Sequence, residues 1–152
     1  MKYPTKTIGE ICKYTTSGGT PKTSIRSYYE PPIIPWLTTK EVNYNRIYKT
    51  NSAISSEGLE RSSAKLIPEN SVIVAMYGQG DTAGRVAINK IPLTTNQACC
   101  NIVVDENKAD YRFGCIVGNE YWVSTDAGIL KKPFPYIEEI PIRKHNFWSP
   151  LL

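Results

Sequence analysis

Proline and glycine interrupt this sequence so often that long helices have little room to form. The 152 residues include eleven prolines, ten glycines and ten tyrosines, a composition that favours short strands and turns. Each proline removes a backbone donor and pushes the preceding residue into extended geometry. The hydrophobic share of 41% is nevertheless too high for a disordered chain. We therefore predict one β-rich globular unit, because two cores at this length would each bury little area.

Charge and hydropathy narrow the functional classes only a little. Eighteen basic and 14 acidic residues give a net charge of +4, which suits a polyanionic partner but also occurs on ordinary proteins. No apolar run approaches the roughly 20 residues that cross a bilayer, and the first residues lack the apolar segment of a signal peptide. We expect a cytoplasmic protein with no membrane contact.

The four cysteines give no sign of a metal site. Cys12, Cys99, Cys100 and Cys115 form no C-x-x-C pair, and the default for such residues is a small buried hydrophobe with a free thiol. Adjacent Cys99 and Cys100 would point to opposite faces of a strand and so could not easily share one ion. We predict no metal and no cofactor.

Two strands are predicted in the first third of the chain. Strand-forming residues run from Thr7 to Thr15, and Ser17–Pro21 then breaks the run into a tight, exposed loop. The prolines before Ile34 exclude a helix there, so Ile34–Thr38 is predicted as a strand. Trp36 is expected to anchor that strand in the core.

The middle of the chain predicts one helix followed by strands. Ser52–Ala64 is the best helical segment, and Ser55 is suited to cap it. Ser71–Met76 is the most strand-like run, and it leads through a glycine-rich loop to Arg85–Ile88; Asn101–Val104 resembles a third strand. The predicted fold class is α+β, with a curled antiparallel β-sheet and one or two short helices against it.

The glycine-rich loop superficially matches a dinucleotide-binding fingerprint. Gly78, Gly80 and Ala83 have the right spacing, but that motif must open a helix, and β-branched Val86 follows instead. Catalysis also has little support, because the single histidine, His145, has no evident nucleophile or acid partner in chain order. A nucleotide-binding enzyme is therefore the alternative that the residues favour least.

Three pairs of segments point to one family by their order and spacing. They are Ile8–Ile11 with Thr16–Pro21, Pro35–Thr38 with Gly58–Pro68, and Gly84–Ile88 with Thr95–Gln97. Together they resemble the N-terminal half of type I restriction-modification specificity subunits, from about Thr7 to Phe113. The resemblance implies a target-recognition domain over residues 1–113 that binds double-stranded DNA and reads one half of a bipartite site. It also implies that the chain is not an enzyme and that partner subunits methylate and cleave.

The resemblance ends after Phe113, where the family continues into helices that dock the partner subunits. Residues 114–152 instead form a divergent tail in which glycines and prolines such as Gly118 and Pro133 interrupt any helical period. We expect a truncated or frame-shifted product with a poorly ordered tail. Docking to the modification and restriction subunits should then be impaired, and a non-functional remnant or a protein-interaction module remains an alternative.

The glycine-rich loop supplies the main candidate contacts to DNA. Gln79 is the best candidate base reader, since glutamine suits adenine, and Arg85 suits guanine. Tyr77 can stack on a base or donate to it, while Gly78 and Gly80 allow close backbone approach. Arg85 has an alternative role, an ion pair with Asp81 or Glu69.

Other candidates lie elsewhere in the sequence. Those expected to contact phosphates through charge or hydroxyl groups are Lys22, Arg26, Lys40, Thr20, Thr38 and Thr39. Asn96 and Gln97 match a family signature and are secondary candidates. A polar pair at the start of a strand also commonly satisfies loop backbone, which is the alternative for these two residues.

Overall fold

Short strands dominate the chain, as its prolines and glycines predict. The computed structural model describes residues 5–109, 111, 114–117, 120–125, 128–133 and 140–141. The helices are α1 (Ile8–Ile11) and α2 (Ser56–Glu60), with 3-10 turns at Arg26–Tyr28 and Thr39–Glu41. The strands are β1 (Thr5–Lys6), β2 (Cys12–Ser17), β3 (Ile34–Leu37), β4 (Asn45–Ile47), β5 (Ser52–Ile54), β6 (Val72–Ala75), β7 (Val86–Asn89), β8 (Thr94–Thr95), β9 (Cys99–Val104), β10 (Gly114–Val117), β11 (Glu120–Thr125), β12 (Gly128–Pro133) and β13 (Ile140–Pro141).

The described strands form mixed sheets. The largest has the order β2-β9-β6-β7-β4, a second has the order β5-β3-β8, and β10-β11-β12 and β1-β13 form two more. Most described pairs are antiparallel, whereas β3–β8 and β4–β7 are parallel. The α+β class with few short helices is confirmed. The two parallel pairs matter because each joins segments that are distant in sequence.

Both faces of the five-stranded sheet carry apolar side chains, because residues alternate between faces along each strand. Ile73 and Ala75 of β6 belong to one buried cluster together with Leu37 of β3. Val72 and Val74 of the same strand belong to a second cluster. All four residues of β6 are buried, which explains why Ser71–Met76 is the strongest strand signal in the sequence.

The predicted strand from Thr7 to Thr15 is wrong at its start. Thr7 caps α1 through a capping box, in which its hydroxyl accepts from the Glu10 amide at 3.3 Å and its amide donates to the Glu10 carboxylate at 2.8 Å. This reciprocal pair satisfies donors that an isolated turn would leave open. The strand begins only at Cys12, with a register irregularity between Cys12 and Tyr14.

The predicted helix from Ser52 to Ala64 is also largely wrong. Its first residues form β5, where Ile54 is fully buried and pairs with Ile34 of β3. Ser55 does cap the short helix α2 that follows, as predicted, by accepting from the Gly58 amide at 3.0 Å. Packing of the β5 side chains therefore overrode the local helical signal.

Several predictions are confirmed, and others fall outside the described residues. β3, β6, β7 and β9 lie where strands were predicted, and β6 and β7 form the expected antiparallel pair across the glycine-rich loop. Trp36 is half-buried, and its neighbour Leu37 is the residue fully buried in the core. His145 lies outside the described residues. In the described part of the chain no helix has the length and apolar character needed to cross a membrane.

Candidate functional site

Strand polarity brings the candidate loops to one end of the five-stranded sheet. β2 and β6 end there, and their antiparallel neighbours β9 and β7 begin there. The loops that meet at this end are residues 18–22, 76–85 and 96–98, which we call the loop end. The Gly18 amide donates to the Cys99 carbonyl at 3.2 Å, and the Met76 amide donates to the Ala98 carbonyl at 2.9 Å. The second bond joins the 76–85 and 96–98 loops, and the first ties the 18–22 loop to the start of β9.

The glycine-rich loop is an exposed hairpin connection. The Gly84 amide donates to the Ala75 carbonyl at 2.8 Å, which closes the base of the loop. Tyr77 is 54% exposed, and Gln79 is also exposed. Gly80 adopts a φ of +65°, and a Cβ there would meet no atom within 4 Å. The nucleotide-binding alternative loses its basis, because β7 rather than a helix follows the glycines.

Arg85 forms an ion pair with Asp81 and not with Glu69, the other acidic residue considered as its partner. Its guanidinium Nη2 lies 2.5 Å from Asp81 Oδ1, and its side chain is only 22% exposed. The hydrogen bond from Arg85 holds the pKa of Asp81 below its usual value, so the carboxylate stays ionised. Arg85 is therefore not a free cation at the loop surface, whereas the Asp81 side chain is 87% exposed.

The Gly18-Gly19-Thr20-Pro21 loop is less exposed than predicted. Gly18, Gly19 and Pro21 are buried, and Thr20 and Lys22 reach solvent. A Cβ on Gly19 would lie 2.3 Å from the Ala64 amide nitrogen, so only glycine fits. The paired glycines are thus required by backbone packing, and they set the position of the exposed residues beside them.

Two aromatic side chains fix this loop from beneath. The Trp36 indole nitrogen donates to the Gly19 carbonyl at 3.0 Å, and the Tyr29 hydroxyl donates to the Pro21 carbonyl at 2.7 Å. The two rings meet edge to face, with centroids 6.3 Å apart. Trp36 therefore holds the loop by a hydrogen bond in addition to packing, and its half-buried position permits both.

Tertiary contacts bring Thr20 and Gln97 together across 77 positions of sequence. The Thr20 hydroxyl donates to the Gln97 side-chain carbonyl, and both residues are exposed. The amide group of Gln97 keeps its NH₂ donors. Asn96 instead makes structural contacts. Its backbone amide donates to the Leu37 carbonyl at 2.9 Å, and its side-chain oxygen accepts from the Cys99 thiol. The alternative structural role thus describes Asn96 better than Gln97.

The Thr38–Lys40 segment follows Leu37 and so lies beside the 96–98 loop. The Thr38 hydroxyl donates to the Glu41 carboxylate at 3.1 Å, and Thr39 is only 8% exposed. Lys40 is exposed. Of the candidates in this segment, Lys40 is the best placed to meet a partner, while Thr39 lacks an accessible surface.

Other charged and aromatic residues described near the site already have partners or lack the grouping that a metal ion needs. Arg26 pairs with Glu30 at 2.7 Å, and so its charge is already compensated. Tyr44, with a φ of +53°, lies near Arg85, a placement produced by the parallel β4–β7 pair. Within the described residues, no three His, Cys, Asp or Glu side chains are grouped to hold a metal ion.

The fold and the loop end together define a sheet-based recognition domain whose exposed loops present amide, hydroxyl and lysine side chains. The chain matches the family model of the type I restriction modification DNA specificity domain over residues 2–125. The chain belongs to this family, which confirms the resemblance found in its motifs. It is a family of specificity units rather than catalytic ones, in agreement with the prediction that the chain is not an enzyme.

Two relatives are similar in sequence. The Escherichia coli type I restriction enzyme EcoR124I/EcoR124II specificity subunit is 35% identical over 103 residues, which are 67% of this chain and 25% of the relative. The Methanocaldococcus jannaschii type I restriction enzyme MjaIX specificity subunit is 35% identical over 101 residues, 64% of this chain and 22% of the relative. The chain thus spans about a quarter of the length of these relatives.

A solved structure supports the fold alone. The HsdS subunit from Thermoanaerobacter tengcongensis is 14% identical, with a TM-score of 0.51, and the match covers 73% of this chain and 25% of that subunit. A second chain, from a type I R-M system, matches at 13% identity with the same TM-score and coverage. At this identity the likeness concerns the arrangement of strands and says nothing about individual side chains.

Proposed function

We propose that this chain recognises double-stranded DNA in a type I restriction-modification system and reads one half of a bipartite site. The observation that carries the proposal is the convergence of three loops at one end of the sheet, where hydrogen bonds link the 96–98 loop to each of the other two. Membership of the specificity-domain family supports the same function. Methylation and cleavage would belong to modification and restriction subunits, with which we propose that this domain acts.

Phosphate binding is assigned to the exposed lysines. Lys22 and Lys40 project from segments at or beside the loop end, and within the described residues neither has a close acidic partner like those that compensate Arg26 and Arg85. Each lysine that neutralises a phosphate releases counterions, which makes the affinity fall with salt. These contacts would set affinity and register without choosing a sequence.

Base reading is assigned to the exposed polar side chains of the loops. Gln79 projects from the hairpin, and Gln97 presents its NH₂ donors because Thr20 occupies its oxygen. A donor of this kind meets the acceptors that adenine, guanine and thymine expose in the major groove. Tyr77, two residues before Gln79, is 54% exposed and offers a ring for stacking. The loop end therefore combines both kinds of contact that sequence-specific binding needs.

The test is the salt dependence of duplex binding by the full chain. A labelled duplex is first selected from a random library, and its binding is measured by fluorescence anisotropy. Replacing both lysines, as K22A/K40A, should make the negative log-log slope less steep by about 1.8, at about 0.9 per phosphate contact. Between 50 and 200 mM salt, wild type should then lose about 12-fold more affinity than the variant.

Lys108 provides the matched control. It lies at the opposite end of the sheet, 3.5 Å from Asp105, which follows β9. K108A should leave the slope near the wild-type value, although it removes the same kind of charge. A change of about 0.9 in K108A, half that of the double variant, would show that net charge alone drives binding. Absence of binding to any duplex would refute the proposed function.

A further inference from the structure

The tip of the glycine-rich loop carries an acidic side chain where a DNA-binding surface is expected to be basic. Asp81 follows Gly80, which has a φ of +65° and open space around the position that a Cβ would take. Its side chain is 87% exposed, more than that of any other residue in an ion pair of the described chain. Phosphates repel such a group, so its position on this surface needs an explanation.

The ion pair with Arg85 orients Asp81 without covering it. Arg85 Nη2 contacts Oδ1 at 2.5 Å, while the arginine side chain itself is mostly buried at the base of the loop. A carboxylate has acceptor sites on both oxygens and no donor, and so Asp81 retains acceptor capacity toward solvent. Arg85 thus approaches from beneath the loop, and the free acceptors of Asp81 face outward.

An acceptor-only group can hydrogen-bond to few atoms on a duplex. In the major groove these are the exocyclic amino groups of cytosine and adenine, while phosphates, guanine O6 and thymine O4 are all acceptors. We propose that Asp81 is a specificity-determining residue that selects cytosine, because adenine also exposes the N7 acceptor, and that Arg85 is a positioning residue that holds Asp81. This inference rests on the proposed function and reassigns Arg85 from the guanine reader expected from sequence.

The competing explanation is that the pair only closes the loop. Because the Asp81 side chain is 87% exposed, solvent screens the pair and its contribution to stability is small, so loop closure alone is a weak reason for a charge at the tip. The two explanations differ in what they predict for base preference. If the ion pair only closes the loop, its loss should change the affinity for all duplexes alike. If Asp81 contacts a base, its loss should change the preference at one position.

The test uses selection of duplexes from a random library by the full chain and by D81N. The wild type should prefer cytosine at one position, and D81N should lower that preference about fivefold or more, because the amide adds a donor that also suits adenine N7 and guanine O6. Preferences at the other positions should remain. Thermal denaturation of each variant checks that it is folded.

Asp105 supplies the control, since it is also paired with a cation but lies at the other end of the sheet. D105N changes the net charge by the same amount and should leave every base preference unchanged. R85Q should weaken the same position as D81N, and the double variant D81N/R85Q should lose no more there than D81N alone. A further loss of guanine preference in the double variant would instead show that Arg85 reads a base directly.

The two proposals fail in different ways. If the wild-type chain binds no duplex, the proposed function fails and this inference fails with it. If the wild type binds with a clear base preference that D81N retains, only the role of Asp81 is overturned. That role is overturned as well if D81N shifts the affinity for all duplexes equally.

Discussion

Replacing Gly19 by alanine should destabilise the domain through a backbone clash that no rotamer change relieves. A Cβ at this position would lie 2.3 Å from the Ala64 amide nitrogen and 2.4 Å from the Ser63 carbonyl carbon. Real Cβ atoms essentially never approach so closely, so the loop or the 63–64 segment must move. Overpacking of this kind costs about 1 to 3 kcal/mol, and we expect the upper half of that range because both contacts are backbone atoms.

The displacement should also reach the site, because the Gly19 carbonyl accepts the Trp36 indole hydrogen and Thr20 follows directly. Urea denaturation monitored by tryptophan fluorescence should show a lower free energy of unfolding. Thermal denaturation should show an unfolding temperature lowered by roughly 5 to 10 °C. G9A is the matched control, since a Cβ on Gly9 would meet only Thr7 Oγ1 at 3.9 Å. It lies in α1, where alanine should stabilise by about 0.5 to 1 kcal/mol. A G19A variant as stable as wild type would refute the close-packing argument.

Two further predictions concern buried polar groups. Asn89 is fully buried, accepts from the Ser71 amide at 2.8 Å and donates to the Pro68 and Ile91 carbonyls at 2.7 and 2.9 Å. N89A should therefore lower the free energy of unfolding by about 3 kcal/mol in urea denaturation. A decrease under about 1 kcal/mol would mean that water replaces these bonds. Burial raises the pKa of Cys99 to about 12, above the unfolded value of 9.0, so the unfolded state ionises first and stability should fall from pH 9 to about 12. C99A should show a shallower decline over that range, and an unchanged decline would exclude Cys99 as its source.

Local patterns predicted the elements whose side chains decide their own environment. The run before Met76 is apolar at every position, so it forms a strand that is buried on both faces, and the glycines after it form a connection to β7. Ser55 caps a helix as predicted, since a capping hydrogen bond involves only neighbours in sequence. Thr7 and Glu10 show the opposite case, in which a local capping signal prevails over the strand propensity that the prediction followed.

The site depended more on long-range contacts. The glycine-rich loop and its exposed Gln79 follow from the sequence, because glycines and polar residues between two strands are expected to project into solvent. The Thr20–Gln97 pair does not follow, since nothing local relates two residues 77 positions apart. The choice of Asp81 over Glu69 as the partner of Arg85 also required the loop conformation, because both acids were within reach along the chain.

Three pairs of motif segments identified the family, and the order of apolar, proline and glycine residues was sufficient to predict a β-rich domain with short helices and the β6–β7 hairpin. These properties depend on backbone propensity and on alternation along a strand, which neighbouring residues settle among themselves. The tertiary structure alone decided that the loops meet at one end, that Gly18 and Gly19 are buried, and that Asp81 faces outward. Those outcomes depend on parallel and antiparallel pairing between distant strands, whose register is set by burial of whole faces rather than by any short segment.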